Sequence, residues 1–156
     1  METYEKRAAQ LLANAINIAV NAHSTTLNKD GTLYILHPMR LMLQTDDWKE
    51  QVVAILHDVV EDTHVTFGDI ELQGYDAEII DALEAITKRQ GEDYTDYIKR
   101  VAQNDLATIV KVLDLYDNID LTRLPEITDY DLKRCFKYHW ALRFLTNVRD
   151  AGIRRV

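Results

Sequence analysis

The chain has 156 residues, 47 % apolar and 28 % charged, and its 18 basic against 26 acidic side chains leave a net charge of −8. That size and balance suit a single globular domain over residues 1–156, and the acidic total, with no basic stretch, argues against nucleic acid or an anionic membrane as partner. No run of about 18 apolar residues suggests a transmembrane helix, METYEKRAAQ lacks a signal-peptide pattern and Cys135 is the only cysteine, so a cytoplasmic location is expected.

The apolar spacing is helical nearly throughout. Ala8, Leu11, Leu12, Ala15, Ile16, Ala19 and Ala22 recur at three- and four-residue intervals, which predicts a first helix to about Ala22. The stretch STTLNKDGTLY reads as a loop, and Pro38 is expected to open a second helix holding Met39, Leu41, Met42 and Leu43. Trp48, Val52, Val53, Ile55, Leu56, Val59 and Val60 predict a third, largely buried helix. Thr66 and Asp69 form a capping-box variant for a short fourth. Ile79, Ile80, Leu83 and Ile86 mark a fifth, and Tyr94, Tyr97, Ile98 and Val101 a sixth. Leu106, Ile109, Val110, Leu113 and Tyr116 mark a seventh. Pro125 ends that region, and Thr128 to Asp131 caps a last long helix through Phe136, Trp140, Leu145 and Val148, with DAGIRRV as its end. No segment alternates with period two. The expectation is an all-α, single-domain bundle of seven or eight helices.

One stretch does not fit a plain core. LHDVVEDT, Leu56 to Thr63, holds His57, Asp58, Glu61 and Asp62 beside the apolar Val59 and Val60. On a continuous helix His57 neighbours Glu61 and Asp58 neighbours Asp62. An imidazole and a carboxylate side by side suit a metal ion, but a pair alone binds weakly, so further ligands must come from elsewhere. His37, just before Pro38, and Asp114, in VKVLDLYDN between core-facing residues, are the candidates. Each alone has an ordinary reading, as a core or cap histidine or an exposed helix carboxylate. The combination is what points to a metal. His23, His64, His139 and Cys135 have no such setting and are read as structural.

With these residues in view the chain resembles the HD-domain hydrolases of the RelA/SpoT homologue type, the small alarmone hydrolases in particular. The matching stretches are Ala22-His23, GTLYILHP, ILHDVVEDTHVTFGDI, AITK and VKVLDLYDNI, collinear over roughly residues 15–121. The resemblance implies one HD-domain helical bundle and one divalent metal, usually Mn2+, held by His37, His57, Asp58 and Asp114. It places the carboxylate pair that follows the HD motif on Glu61 and Asp62 and a nucleotide-contacting asparagine on Asn118. The loop's basic pair falls on Asn28 and Lys29, and Asn28 stands where the family usually has an arginine beside the purine base. Asp117, Asp120 and Leu121 also depart from the pattern of the long members.

The implied reaction removes pyrophosphate from the ribose 3′ oxygen of ppGpp-type nucleotides. It needs an activated water, neutralised phosphate charge and a proton for the leaving oxygen. Glu61 and Asp62 fit the proton work, Lys29 a phosphate contact, Tyr34 packing on the ribose or base, and Asn118 a bond to ribose or phosphate. Arg40 and Lys88 are further cations that read equally as solvated helix charges. Two readings stay open beside this one. The same site could act on an adenine alarmone or as an NADPH phosphatase, or the chain could be a non-catalytic nucleotide-binding or antitoxin-like module.

Overall fold

A computed structural model describes residues 2–153. Regular structure among them is helical, apart from one isolated antiparallel bridge between Leu27 and Leu33. In chain order the helices are α1 (Glu2–Ala22), α2 (Leu36–Met42), α3 (Trp48–Leu56), α4 (Val59–Asp62), α5 (Phe67–Glu71), α6 (Ala77–Ile86), α7 (Tyr94–Val101), α8 (Asp105–Ile119) and α9 (Asp129–Ile153), with a 3-10 turn over Leu121–Arg123.

The starts of these helices follow their cap residues. Asp47 accepts from the Lys49 and Glu50 amides at the head of α3, Asp93 from Thr95 and Asp96 at α7, and Asn104 from Ala107 at α8. Thr66 and Asp69 form the expected reciprocal capping box of α5, and Thr128 and Asp131 exchange the same pair of bonds at the head of α9.

The bundle is organised on α3 and α8. Helix α3 packs on α1, α2, α6 and α8, and α8 packs on α2, α6, α7 and α9. Val52, Val53, Ala54, Ile55 and Leu56 are all buried, so the second half of α3 has no solvent face. Each of its buried valine, isoleucine and leucine side chains contributes about 1.5–3 kcal/mol by burial. Ile79, Leu83, Ile98, Val110 and Leu115 close around it from α6, α7 and α8. Helix α8 is apolar inward over its first half, but its second half buries Asp114 and Asp117.

Several expectations are corrected, beginning with the number of helices, which is nine α-helices among the described residues where seven or eight were expected. The third predicted helix does not run on to Val60. It stops at Leu56 and restarts as α4 after Asp58, whose φ of −103° and ψ of −3° lie outside regular helix. The break separates His57 from Glu61, so these two do not share one helical face. The second helix begins at Leu36, not Pro38. The proline is its third residue, still in the first turn, where no amide donor is needed. Leu43 is the C-cap of that helix and is exposed, not inside it. At the chain's end α9 continues through Gly152 to Ile153, so the glycine does not end it, and the remainder of the DAGIRRV tail lies outside the described residues.

Candidate active site

The break between α3 and α4 gathers the ionisable groups. His57, at the C-cap of α3, donates from Nδ1 to the Ala54 carbonyl at 2.8 Å, which turns Nε2 toward the carboxylates. His37, in the first turn of α2, donates from Nδ1 to Asp117 Oδ2 at 2.7 Å, which turns its Nε2 the same way. His57 Nε2 lies 2.9 Å from Asp58 Oδ2 and 3.8 Å from Asp114 Oδ1. His37 Nε2 lies 3.1 Å from Asp114 Oδ1 and 4.0 Å from Asp58 Oδ2. Both histidines are buried, and His57 Nε2 has no hydrogen-bond partner among the described residues.

This arrangement fits a divalent cation. With each Nδ1–H already committed, each Nε2 is left to take a proton or a metal, and both face carboxylate oxygens. Ligand atoms held about 2.1 Å from one ion sit about 3–4 Å apart, the range seen here. Ligand atoms of His37, His57 and Asp58 all lie within 4.8 Å of one another. Asp114 reaches both histidines from α8. The surroundings keep the carboxylates ionised. Burial alone would push Asp58 up, but His57 beside it holds it below the usual carboxylate range. Burial likewise opposes the Asp114 charge, and Lys111 and the histidines hold it well below the usual carboxylate range.

The groups behind the ligands are as ordered as the ligands. The Tyr34 hydroxyl donates to Asp58 Oδ2, and its ring lies 5.8 Å from that of His37 and 4.9 Å from that of His23. Lys111 puts its ammonium 2.7 Å from Asp114 Oδ2, leaving Oδ1 for the histidine side. Asn118 donates to the Asp114 carbonyl at 3.0 Å and to Oδ1 at 2.5 Å. Asp117 accepts from Arg40 at 2.8 and 2.9 Å as well as from His37.

His37, Asp58 and Asp114 line a cavity of about 700 Å3, within the size range of small-molecule sites, and His57 lies behind them. The cavity walls are mixed in charge, with seven Lys and Arg side chains beside eight Asp and Glu. Arg40 and Arg123 pair with Asp117 and Lys111 with Asp114, while Lys29, Lys88, Arg134 and Lys137 stand apart from the cluster's carboxylates. Lys137 has no carboxylate partner among the described residues. Its ammonium sits 4.4 Å over the Tyr94 ring, and burial, then repulsion from Lys111, Arg134 and Lys88, lowers its pKa. Arg134 lies over the rings of Tyr130 and Tyr138.

The residues singled out from the sequence fall into distinct places. His37, His57, Asp58 and Asp114 converge. Asn28, Lys29, Tyr34, Glu61 and Asn118 line the cavity, whereas Asp62 does not. Glu61 accepts from the Lys88 amide at 3.0 Å, which ties α4 to the segment after α6. Asp62, one turn beyond Asp58, is pushed up to about 6 by partial desolvation and then by the charges of Asp58 and Glu61. Lys29 lies 4.7 Å over the Tyr130 ring. Asn28 spends its amide donors inside its own loop, on Thr32 Oγ1 at 3.0 Å and the Leu33 carbonyl at 3.4 Å, around the turn that Gly31 makes at a φ of +82°. Tyr34 commits its hydroxyl to Asp58, so it braces a ligand even as its ring borders the cavity.

Sequence reasoning missed Lys111 and the cationic wall of α9, and it marked Asp117 only as a departure. Lys111 could have been found as the cation three residues before Asp114 on one helix face. The meeting of Arg40 with Asp117 across 77 residues has no local signal. His23 is buried with both ring nitrogens unpartnered, against Tyr34.

No family model matches the chain. It is 27 % identical over 123 residues to a guanosine-3′,5′-bis(diphosphate) 3′-pyrophosphohydrolase of Aquifex aeolicus, covering 71 % of this chain and 18 % of that protein. It is 28 % identical over 151 residues to the guanosine-3′,5′-bis(diphosphate) 3′-pyrophosphohydrolase MESH1 of Xenopus tropicalis, covering 85 % of this chain and 75 % of that protein. The chain thus spans under a fifth of the first relative and three quarters of the second. The solved structure of a metazoan SpoT ortholog, described as hydrolysing ppGpp and acting in starvation responses, superposes with a TM-score of 0.72 at 19 % identity, over 86 % of this chain and 84 % of that one. The fold is therefore the one that structure has, an all-helical HD-domain fold, and the resemblance drawn from the sequence is met by relatives named for that hydrolysis.

Proposed function

We propose that this chain is a metal-dependent hydrolase that removes the 3′-pyrophosphate from ppGpp or a related alarmone nucleotide. One observation carries the reading: His37 and His57 bring Nε2 to within 2.9–4.0 Å of Asp58 Oδ2 and Asp114 Oδ1, beside a cavity that both carboxylates line together with several lysines and arginines. Two carboxylates and two neutral imidazoles leave a divalent site near zero charge, which accepts an anionic substrate better than a carboxylate-only cage does. The relatives named for this reaction support the substrate class.

A divalent ion there, Mn2+ by resemblance, supplies neutralisation of phosphate oxygens and lowers the pKa of water. The rest falls to side chains of the chain itself. In the hydrolysis a water oxygen adds to the phosphorus next to the 3′ oxygen, the P–O3′ bond breaks, and the 3′ oxygen takes up a proton as pyrophosphate leaves. Of Glu61 and Asp62, Glu61 is the one that lines the cavity, and it is our candidate for taking the water's proton and passing one to the 3′ oxygen. Asp62 stands behind it and shapes the field around Asp58 and Glu61. Lys29, Lys88 and Lys137 are the lining lysines without a carboxylate partner among the described residues and are our candidates for the substrate phosphates, and Asn118 holds Asp114 through its amide at the cavity wall.

The test is to incubate metal-stripped and Mn2+-loaded protein with ppGpp, ppApp, NADPH and ordinary nucleoside triphosphates, and to resolve products by charge. The proposal expects GDP and pyrophosphate from ppGpp in the loaded protein only. Orthophosphate release from NADPH with ppGpp intact would transfer the same site to the phosphatase reading. Turnover of none of them with metal bound would overturn the hydrolase reading.

A further inference from the structure

Beyond the ligands, we propose that Asp117 is a positioning residue that fixes His37 as a metal ligand, and that Arg40 and Arg123 fix Asp117 from the cavity wall. The inference rests on the metal site read above.

Asp117 cannot share the ion with the ligands, because it touches the opposite edge of the imidazole. Its Oδ2 accepts from His37 Nδ1 at 2.7 Å, while His37 Nε2 points to Asp114 and Asp58. A carboxylate there does two things. It selects the tautomer with the proton on Nδ1 and the lone pair on Nε2, and it stops rotation of the ring about its bond to Cβ. His57 obtains the same service from the Ala54 carbonyl, a neutral acceptor on its own helix. His37 lies in the first turn of α2 and depends on a side chain from another helix, α8.

That side chain is held in turn. Arg40 meets Asp117 in a bidentate fork, Nε to Oδ1 at 2.8 Å and a terminal nitrogen to Oδ2 at 2.9 Å. Arg123 adds a contact to Oδ2 at 3.1 Å and donates to the Asp117 carbonyl at 2.5 Å. The guanidiniums also share the carboxylate's charge, so Asp117 orients the Nδ1 proton without drawing it off. Arg40 and Arg123 both line the cavity. A path of three hydrogen-bonded groups therefore runs from the substrate wall to a metal ligand, and it joins α2, α8 and the 3-10 turn. Because Arg40 is one turn after His37 on α2, the fork fixes the rotation of that short helix as well as the carboxylate.

The experiment reads metal binding, not turnover. Wild type, Asp117→Ala, Asp117→Asn and Arg40→Ala are stripped of metal, their melting is measured, and Mn2+ and Co2+ affinities are found by chelator competition while all are folded. The Co2+ absorption spectrum reports ligand geometry. Loss of an outer-shell partner of this kind typically costs about 10–100-fold in metal affinity. Asp117→Ala is expected to fall in that range with altered Co2+ bands, Asp117→Asn to recover part of the loss because its amide oxygen still accepts from Nδ1, and Arg40→Ala to lose several-fold. A merely structural role would lower the melting temperature of the metal-free protein and leave affinity and spectrum alone, and that result overturns the inference. Should Asp117→Ala not fold, the isosteric Asp117→Asn and Arg40→Ala decide by the same criteria. If wild type itself takes up no divalent ion, the metal reading falls and this inference with it. If wild type binds and the variants bind equally, only this inference falls.

Discussion

Two charged knots lie within this bundle, and they are built on opposite rules. In the first, Arg100 of α7 forks onto Glu92 with two bonds of 2.7 Å and donates to the carbonyls of Glu84, Ala85 and Thr87, at distances of 3.0, 2.9 and 3.0 Å. Glu92 also accepts from the Arg89 amide at 2.9 Å. Every donor meets an acceptor, and the guanidinium caps the C-terminal end of α6. In the second, carboxylates and histidine nitrogens crowd together at 2.9–4.0 Å, and one buried nitrogen has nothing to bond. A satisfied knot holds helices in place. An unsatisfied one, beside a cavity of about 700 Å3, is a candidate place for a cation and a small ligand to complete the set.

The contrast breaks hardest at Asp58. Asp58→Ala removes a ligand atom that both histidines approach, and it frees the Tyr34 hydroxyl. We expect metal content and nucleotide hydrolysis both to be lost, turnover by at least about 1,000-fold, in keeping with removal of a metal that carries the chemistry. Metal analysis of the purified variant checks it, and full occupancy would remove Asp58 from the ligand set. Glu61→Gln is the next largest. The metal should stay, and the rate should fall by about 100–10,000-fold, the span ascribed to one proton-transferring group. Loss of metal in this variant would make Glu61 a ligand and reverse its role.

The first knot is tested by stability. Arg100→Ala leaves the Glu92 carboxylate and three carbonyls without their donor, and we expect about 2–3 kcal/mol of destabilisation in denaturant unfolding, with metal affinity unchanged. Glu92→Gln probes the same knot through pH. Hydrogen bonds from Arg100, the largest influence, lower the Glu92 pKa from 4.5 to about 2. A carboxyl whose folded pKa is lowered adds stability above its unfolded pKa and loses it as pH falls toward the folded one. The wild type should therefore lose this share between about pH 4.5 and 2, and the Gln variant should be less stable at neutral pH and lack that part of the acid slope. An acid limb of the unfolding curve equal in both proteins would remove Glu92 from the knot's account.

The two knots also differ in what the sequence discloses. The helices were legible because their apolar residues recur at helical spacing and their caps are local: Thr66 with Asp69, Thr128 with Asp131. The residues that converge were legible because HP, HD and an aspartate amid apolar residues are each short patterns. The break after Leu56 was not, because Val59 and Val60 continue the apolar rhythm across it, and only the demands of His57 and Asp58 interrupt the helix. The Arg100 knot and the Arg40–Asp117 fork were not legible either. Each joins residues through the fold, and a lone arginine on a helix carries no mark of the carboxylate it will meet.

The smallest expected effect concerns the loop over the cavity, where the two rules meet in one residue. Asn28 borders the substrate space, yet its Nδ2 donates to Thr32 Oγ1 and the Leu33 carbonyl, so its amide is satisfied as Arg100 is. Asn28→Arg would replace these bonds with a charged plane able to stack on a purine and to fork onto guanine acceptors. Each lost loop bond costs about 1 kcal/mol net, which offsets much of the gain. The expected result is a shift in the ratio of kcat/KM for ppGpp over ppApp of less than about tenfold, toward guanine, an energy below about 1.4 kcal/mol and so of the size of the bonds exchanged. Thr32→Val removes the loop bond without adding a cation and should leave the ratio alone while raising KM for both nucleotides. If Asn28→Arg moves KM for both in parallel and leaves the ratio unchanged, Asn28 is a loop tie and base choice resides in the α9 wall, where Tyr130, Arg134 and Tyr138 offer the stacking and the charge that the loop lacks.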